Sequence, residues 1–266
     1  MNSVFNGKIL ENTKYKNIYI NHSPGDSGGS IGAGMIAINK IYKKTIKIHD
    51  TPYLGPNYTM EEVKLALDSY TNKFEKLNIK IIKFNNNEQL VKSIVKNLSL
   101  NKVTGLFQGR MEFGSRALGN RSIICDPRNS NIKDLLNLKI KNREQFRPFA
   151  PSVLSESVSD WFENNDDVPF MSKVHKIKEE KADLVPGVVH VDGTCRLQSV
   201  SKINNLLYHD IIEKFKETTG IPMILNTSFN ENEPIVCKPE EAIDCFLRTK
   251  MDNLFIEKYL IFREES

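Results

Sequence analysis

The sequence has few cysteines, a single tryptophan and no arginine before residue 110. Its four cysteines are Cys125, Cys195, Cys237 and Cys245, and they include no C-x-x-C pair and no companion histidine pattern. This spacing disfavours both a disulfide framework and a zinc site, and it indicates free thiols in a reducing compartment.

Long apolar runs and long basic runs are also missing. No stretch approaches the roughly 18 apolar residues of a membrane span, and the N-terminal residues do not form an apolar signal segment. Lysine and arginine are dispersed, and the formal net charge is only +4. These features predict a cytoplasmic protein that binds neither a membrane nor DNA.

The pattern of apolar residues predicts the α/β fold class. The chain has 266 residues, of which 39% are hydrophobic, so it can bury a substantial core. Strands are predicted at 17–22 and 79–84, and amphipathic helices at 59–77, with Thr59 as the N-cap, and at 87–98. Alternating strands and helices are typical of α/β proteins.

Three further segments give more specific expectations. The sequence PGDSGGSIGAGMIAINKIY (24–42) predicts a glycine-rich turn that opens a buried helix of small residues. The sequence GVVHVDGTCRLQSV (187–200) predicts a strand broken by a turn at Asp192-Gly193, and 253–262 predicts a final strand. The glycine-rich turn does not match G-x-G-x-x-G or the Walker A pattern, so alone it indicates little.

Arginine is concentrated in one part of a chain that otherwise uses lysine. Six of its nine arginines lie between residues 110 and 147, and GRMEFGSRALGNRSI (109–123) contains Arg110, Arg116 and Arg121. Arginine presents a rigid fork that matches phosphate and carboxylate, whereas lysine presents a point charge. The cluster therefore favours a phosphate-rich ligand. The alternative is a set of surface salt bridges to nearby acidic residues.

Other polar segments add candidates for the same site. The sequence KIKNREQFRPFAPS (139–152) carries further basic residues, and IPMILNTSFN (221–230) ends a predicted strand in polar residues, where open α/β sheets bind ligands. In HVDGTCRLQS (190–199), His190 and Asp192 are predicted to share one face of a strand. His190 is either catalytic or a hydrogen-bonded structural residue, and the pattern leaves both open.

Taken together, these segments resemble a known enzyme family. The sequences GDSGGSIGAG, YLGP, GRMEFGSRALGNRSI, KNREQFRPFAPS, HVDGTCRLQSV and ILNTSFNENEPIVCKPEEAIDCF occur in this order along nearly the whole chain. The sequence resembles the carbamoyltransferase family that includes nodulation and antibiotic O-carbamoyltransferases. The resemblance implies a YrdC-like α/β domain with an open twisted sheet at 76–234. Remnants of an actin/hexokinase-like domain are implied at 1–75 and 235–266.

The resemblance also implies a reaction. The YrdC-like domain of such enzymes makes carbamoyl-adenylate from carbamoyl phosphate and ATP, with Mg²⁺ on the ATP phosphates. The actin-like domain then transfers the carbamoyl group to a hydroxyl-bearing acceptor and uses a bound metal, typically iron. The sequence does not identify the acceptor.

The family motifs assign roles to particular residues. Lys141-x-Arg143 and Ser228-x-Asn230 match the K-x-R and S-x-N signatures of the YrdC-like fold. The catalytic roles are predicted for Lys141, Arg116, Arg143 and Arg147. Substrate or nucleotide binding is predicted for Arg196, Ser228 and Asn230 from the motifs, and for Arg110, Asn226 and His190 from their positions beside these segments.

The sequence departs from the family at the metal site. Members use a His-x-x-x-His pair together with an aspartate, and Asp26 fills the aspartate position. No two of the five histidines are four residues apart. MNSVFNGKI also resembles a stretch inside the family's first domain, which implies a start at an internal methionine. The expected metal site is therefore incomplete. The chain is either a C-terminal fragment or a subunit whose remaining ligands, for iron or another divalent metal, come from a separate N-terminal actin-like chain.

Two other functions remain open from the sequence alone. One is threonylcarbamoyl-adenylate synthesis for tRNA modification on the same fold, which would need bicarbonate and threonine. The arginine segment and the actin-like pieces favour carbamoyl phosphate instead. The other is a non-enzymatic RNA-binding YrdC-like module. The modest net charge and the lack of aromatic platforms near the arginines disfavour it.

Overall fold

A computed structural model describes residues 2–45 and 51–264 of the chain. Within these residues the α-helices, numbered α1 to α10 in chain order, are Ser3–Asn12, Ser27–Tyr42, Met60–Ser69, Thr71–Lys76, Asn87–Ser99, Ile132–Leu135, Val158–Trp161, Glu179–Ala182, Leu206–Thr219 and Pro239–Arg248. A π-helical turn at Leu136–Ile140 continues α6, and a 3-10 turn at Ser155–Ser157 precedes α7. The strands, numbered β1 to β10, are Ile79–Lys83, Thr104–Phe107, Arg121–Cys125, Ala150–Leu154, His175–Lys176, Thr194–Cys195, Gln198–Val200, Met223–Ser228, Asn253–Ile256 and Tyr259–Arg263.

Eight of these strands form one mixed sheet. Their order is β1-β10-β9-β2-β3-β8-β4-β7, and β5 pairs with β6 separately. The pairs β2–β9 and β4–β7 are parallel, and the other neighbours in the large sheet are antiparallel. The first and last strands in this order do not pair with each other, so the sheet is open. The α/β class and the open sheet are thus confirmed.

The large sheet joins segments that the family resemblance places in different domains. Strands β9 and β10 lie between β1 and β2, although they come from 235–266 and their neighbours come from 76–234. Residues from these parts also share one hydrophobic core. The division at 75 and 234, and an actin-like origin of 1–75 and 235–266, remain predictions.

Two helix predictions are confirmed in detail. At the start of α3 the Thr59 hydroxyl accepts a hydrogen bond from the Glu62 N–H, and the Glu62 carboxylate accepts one from the Thr59 N–H. This reciprocal arrangement is a capping box, which satisfies two N–H groups that the helix leaves free. Helix α5 buries the predicted stripe Leu90, Val91, Ile94, Val95 and Leu98 and packs against α9.

Several expectations are wrong. The single strand expected at 253–262 is instead the two antiparallel strands β9 and β10, joined by a turn at Glu257 and Lys258. Residues 17–22 form no strand. Alternating apolar residues form a strand only when a second strand pairs with them, and none of the described residues pairs with this segment. Helix α2 forms, but none of its side chains is buried. The strand expected to begin at 187 is absent before the turn, where Gly193 adopts a φ of 76° and only residues 194–195 and 198–200 are extended.

Candidate functional site

The arginine-rich segment forms a loop between the antiparallel strands β2 and β3. The Glu112 carboxylate is buried inside this loop, where its Oε1 accepts hydrogen bonds from the Leu118 N–H at 2.6 Å and the Asn120 N–H at 2.9 Å. At Gly119 φ is 109°, and an added Cβ would lie 2.4 Å from the Tyr208 ring. The loop therefore needs glycine and an internal carboxylate to hold its shape.

Three arginines from separate parts of the chain line one cavity of about 120 Å³. Arg116 comes from the loop after β2, Arg143 from the turn after the π-helical segment, and Arg196 from the segment between β6 and β7. We call this space the anion cavity. Its lining, among the described residues, is Ser115, Arg116, Ala117, Arg143, Pro148, Phe149, Ala150, Met171, Arg196, Asn226, Thr227 and Ser228.

The positive charge of the anion cavity is not compensated by protein carboxylates. None of its lining residues is acidic. Over residues 2–45 and 51–264, no ion pair involves Arg116, Arg143 or Arg196. The Arg196 Nε is buried and has no hydrogen-bond partner among the residues that the structure describes. Burial of cations without a counter-charge is unfavourable. An oxyanion that enters the cavity would reduce the repulsion among the three guanidinium groups and accept hydrogen bonds from their N–H groups.

Burial lowers the pKa values of all three guanidinium groups, and neighbouring arginines lower two of them further. Burial, followed by the charges of Arg116 and Arg143, lowers the pKa of Arg196 to about 10. Burial also lowers the pKa of Arg116, and burial together with Arg147 lowers that of Arg143. All three groups stay protonated at neutral pH because arginine starts near 12.5 or above. The cavity is therefore a fixed cationic site.

Arg143 is oriented by a buried asparagine. Its Nε donates to Asn137 Oδ1 at 2.7 Å, and its guanidinium group lies 4.9 Å from the centre of the Phe149 ring. The Asn137 amide in turn donates to the carbonyl oxygens of Gln145 and Arg147, both at 3.0 Å. These contacts fix the turn that carries Arg143. The sequence analysis missed Asn137, since nothing in NLKIKNR distinguishes it from a surface asparagine.

Lys141 connects the two signature motifs. The buried ammonium group donates to the carbonyl oxygens of Ser228 and Asn230 and to Asn230 Oδ1, each at 2.6 Å. Ser228 Oγ also donates to Asn230 Oδ1 at 2.8 Å. Burial, and secondarily the charge of Arg143, lowers the pKa of Lys141 to about 7. Lys141 therefore fixes the end of β8, and its side chain has no free donor left for a ligand.

A protein-family model matches the part of the chain that contains this site. Residues 95–263 match the family model described as "Carbamoyltransferase C-terminus". The chain belongs to the carbamoyltransferase family. Every residue of the anion cavity, together with Lys141 and Asn230, lies inside the matched region.

Individual members of the carbamoyltransferase family are similar over almost the whole chain. An uncharacterised protein, sll1178, of a Synechocystis species is 38% identical over 98% of the chain. The nodulation protein NolO of Bradyrhizobium diazoefficiens is 37% identical, also over 98%. The chain spans about half the length of these relatives, 46% and 47%. A crystal structure of full-length HypF in its phosphate- and nucleotide-bound form has a TM-score of 0.43 and 18% identity. It covers 70% of this chain and 22% of HypF.

The structure brings most of the predicted site residues together. Arg116, Arg143 and Arg196 line the anion cavity directly, and so does Ser228. Asn226 also lines it; its amide donates to Ala117 O and Ser152 Oγ, and its buried Oδ1 has no partner in the described part of the chain.

The remaining predicted site residues lie elsewhere. Arg110 is exposed and donates to Leu54 O at 3.1 Å. Arg147 is half-exposed and pairs with Glu144 at 2.7 Å. His190 lines a neighbouring cleft, where Nδ1 lies 3.2 Å from Thr194 Oγ1. Asn230 does not line the anion cavity. It contacts Lys141 and the lining residue Ser228. A separate arginine, Arg121, is fully buried over the Phe107 ring and contacts backbone oxygens, so it is structural.

Within the described residues, Asp26 belongs to no group of three potential metal ligands, and the incomplete iron site stays a prediction. Asp26 is exposed at the start of α2, and His49, a possible ligand by residue type, lies outside the described residues. A separate group with metal-ligating atoms consists of Glu156, His209 and Glu213, and in it Glu156 Oε1 lies at hydrogen-bond distance, 2.9 Å, from His209 Nε2. In the described part of the chain, no helix has the length and apolarity to cross a bilayer.

Glu112 should prove necessary for the shape of the arginine loop. Glu112→Ala leaves the Leu118 and Asn120 N–H groups buried without an acceptor, which should lower the free energy of unfolding by about 2–4 kcal/mol. Glu112→Gln keeps an Oε1 acceptor, so its loss should be below about 1 kcal/mol. Urea unfolding of both variants tests this. Equal losses would show that the two hydrogen bonds do not hold the loop.

Proposed function

We propose that the chain forms carbamoyl-adenylate from carbamoyl phosphate and ATP, within an enzyme that passes the carbamoyl group to an acceptor hydroxyl. One observation supports the proposal: three partly or largely buried arginines, none of them ion-paired within the described residues, converge on one small cavity beside the Lys141–Ser228–Asn230 cluster. Membership of the carbamoyltransferase family supports carbamoyl transfer in general.

The proposed reaction brings several anions into one place. Hydrolysis of carbamoyl phosphate gives carbamate and inorganic phosphate. A carbamate oxygen then attacks the α-phosphorus of ATP, a new P–O bond forms, and the bond to the departing pyrophosphate breaks. The barrier to such a step arises chiefly from charge repulsion and alignment, so fixed cations that face the reacting oxygens supply most of the help.

The contacts of the cavity residues suggest a different role for each of them in this reaction. Arg116, Arg143 and Arg196 would hold the phosphate and carbamate oxygens through paired N–H donors. Asn226 offers an unpartnered Oδ1 that could accept a hydrogen bond from the carbamoyl NH₂. Lys141 would act through the strand end that it fixes, which makes it a positioning residue.

Mg²⁺ would arrive with ATP and not on a protein site. The described lining of the anion cavity contains no carboxylate, so it offers no preferred oxygen ligand for the ion. The nucleotide phosphates and water would hold Mg²⁺, which would neutralise part of the pyrophosphate charge. The arginines would then face the remaining oxygens.

Isotope exchange between ATP and pyrophosphate tests the proposed function. The chain should incorporate labelled pyrophosphate into ATP only when carbamoyl phosphate and Mg²⁺ are both present. Substituting bicarbonate and threonine for carbamoyl phosphate should give no exchange. Folding is checked in parallel by circular dichroism. A folded chain that shows no exchange, or that exchanges only with bicarbonate and threonine, would contradict the proposal.

A further inference from the structure

A histidine and two carboxylates meet between the end of β4 and helix α9. His209 and Glu213 lie on α9, and Glu156 lies in the 3-10 turn that follows β4. One ligand atom from each residue lies within 4.8 Å of the other two. None of the three residues lines the anion cavity. We call this group the α9 cluster.

The fold explains how the α9 cluster comes together. His209 and Glu213 are four residues apart on a helix, so their side chains leave the same face of α9. Helix α9 packs against β4, which brings the turn after β4 to this face, although 53 residues separate Glu156 from His209. Neither the cysteine spacing nor a pair of histidines marks this group in the sequence, so the structure is needed to see it.

The geometry of the α9 cluster suits a metal ion. His209 is buried, its Nδ1 has no hydrogen-bond partner among the described residues, and its Nε2 lies 2.9 Å from Glu156 Oε1. The ring therefore presents Nε2 to the cluster. Ligand atoms around a tetrahedral zinc ion lie about 3.3 Å apart, because each bond is about 2.0–2.1 Å long. The Glu156 and Glu213 side chains are about half-exposed, so small rotations of them reach this spacing.

The charges of the α9 cluster favour a divalent cation. Both carboxylates are negative, and a neutral imidazole adds no charge. The competing protein cation is Lys202, whose Nζ lies 3.3 Å from Glu213 Oε2. Lys216 also lies close, but its Nζ donates to Ser157 Oγ at 3.2 Å. An exposed ion pair contributes little free energy, so Lys202 can turn into solvent when a metal ion enters.

Another histidine–carboxylate pair in the structure is complete without a metal. His175 Nε2 lies 3.0 Å from Asp166 Oδ1, and the Lys173 ammonium group also donates to the Asp166 carboxylate. A protein cation thus fills the third position of that pair. In the α9 cluster the third position belongs to Glu213, which adds a ligand atom instead of a positive charge.

We propose that Glu156, His209 and Glu213 bind one divalent transition-metal ion, represented by Zn²⁺, and that this ion ties the end of β4 to α9. An imidazole nitrogen with carboxylate oxygens suits Zn²⁺, whereas Mg²⁺ prefers an octahedral set of oxygens. Three protein ligands leave a fourth position for water. The site does not depend on the proposed function, because no step of the proposed reaction uses it.

Calorimetric titration of the metal-free chain with Zn²⁺, with Mg²⁺ in excess, tests the α9 cluster. The wild type should bind one Zn²⁺ there. Glu156→Gln and Glu213→Gln should each weaken binding at least about 100-fold, because loss of a group that only orients a ligand already costs about 10–100-fold. Zn²⁺ at about 100 times its Kd should raise the wild-type Tm by about 5–10 °C and leave the Tm of both variants unchanged.

Two control variants separate the α9 cluster from other zinc ligands. Glu217→Gln changes a carboxylate one turn further along α9, which pairs with Lys214 and lies outside the cluster. Cys237→Ser removes the half-buried thiol, whereas the other three cysteines are buried. Both controls should bind Zn²⁺ like the wild type.

The outcomes either support or overturn the zinc site. Loss of binding in Glu156→Gln and Glu213→Gln, with both controls intact, supports it. Unchanged affinity in either of these two variants, loss of binding in either control, or a wild-type Tm that does not respond to Zn²⁺ overturns it. Absence of pyrophosphate exchange would count against the proposed function alone, since these measurements use the metal without substrates.

Discussion

Replacing Arg116 by lysine should lower carbamoyl-phosphate-dependent pyrophosphate exchange by about 100-fold, the effect of removing one preorganised donor that faces developing negative charge. Arg116 lines the anion cavity and has no ion pair among residues 2–45 and 51–264. Lysine keeps the positive charge, but it is a single point donor on a flexible stem and cannot grip two oxygens at fixed angles. The loss should appear mainly in kcat.

The control for this variant comes from the same arginine-rich segment. Arg128 forms an ion pair with Asp126 and lies outside the lining of the anion cavity. Because Arg128 does not face the cavity and lysine keeps a cation beside the buried Asp126 carboxylate, Arg128→Lys should retain exchange activity within about twofold. If Arg116→Lys were as active as Arg128→Lys, the shape of the guanidinium group would not matter, and the explanation for the arginine cluster would be wrong.

Replacing Lys141 by methionine should lower both activity and stability. The ammonium group donates to three oxygens of Ser228 and Asn230, and methionine of similar length donates to none. Buried acceptors without donors destabilise by about 1–3 kcal/mol, which corresponds to a fall in Tm of about 3–10 °C for a chain of this size. Exchange activity should fall about 100-fold, because a misplaced strand end disturbs the alignment of the reactants.

Two comparisons separate positioning by Lys141 from general loss of fold. Lys92→Met removes an exposed lysine that pairs with Glu88, and it should change neither Tm nor exchange measurably. Lys141→Arg keeps the charge but places a larger group in a buried space, so it should also lose activity. Full activity of Lys141→Met at a temperature well below its Tm would show that the contacts to Ser228 and Asn230 have no role in the reaction.

Sequence patterns predicted the structural features that depend on residues close together in the chain. The N-cap at Thr59 and the apolar face of α5 depend on residues three or four apart, and both are as expected. The strand expected at 17–22 and the burial expected for α2 depend on which surfaces meet in three dimensions. No pattern within either segment contains that information.

The same distinction applies to the candidate site. Lys141 and Ser228 were named from short motifs, and the structure places them in contact although 87 residues separate them. The motifs could not show that Arg143 faces the anion cavity while Arg147, four residues later, pairs with Glu144 at the surface. That difference depends on Asn137, which orients Arg143 from inside the fold.

Calorimetric binding of carbamoyl phosphate to the wild type and to Arg196→Met tests most directly whether unpaired guanidinium groups form an oxyanion site. Arg196 lines the anion cavity and forms no ion pair within the described chain, so a bound oxyanion should gain charge-assisted hydrogen bonds from its guanidinium group. We expect saturable binding at one site in the wild type, weakened at least about tenfold in Arg196→Met. Equal affinities for the two proteins would contradict the account.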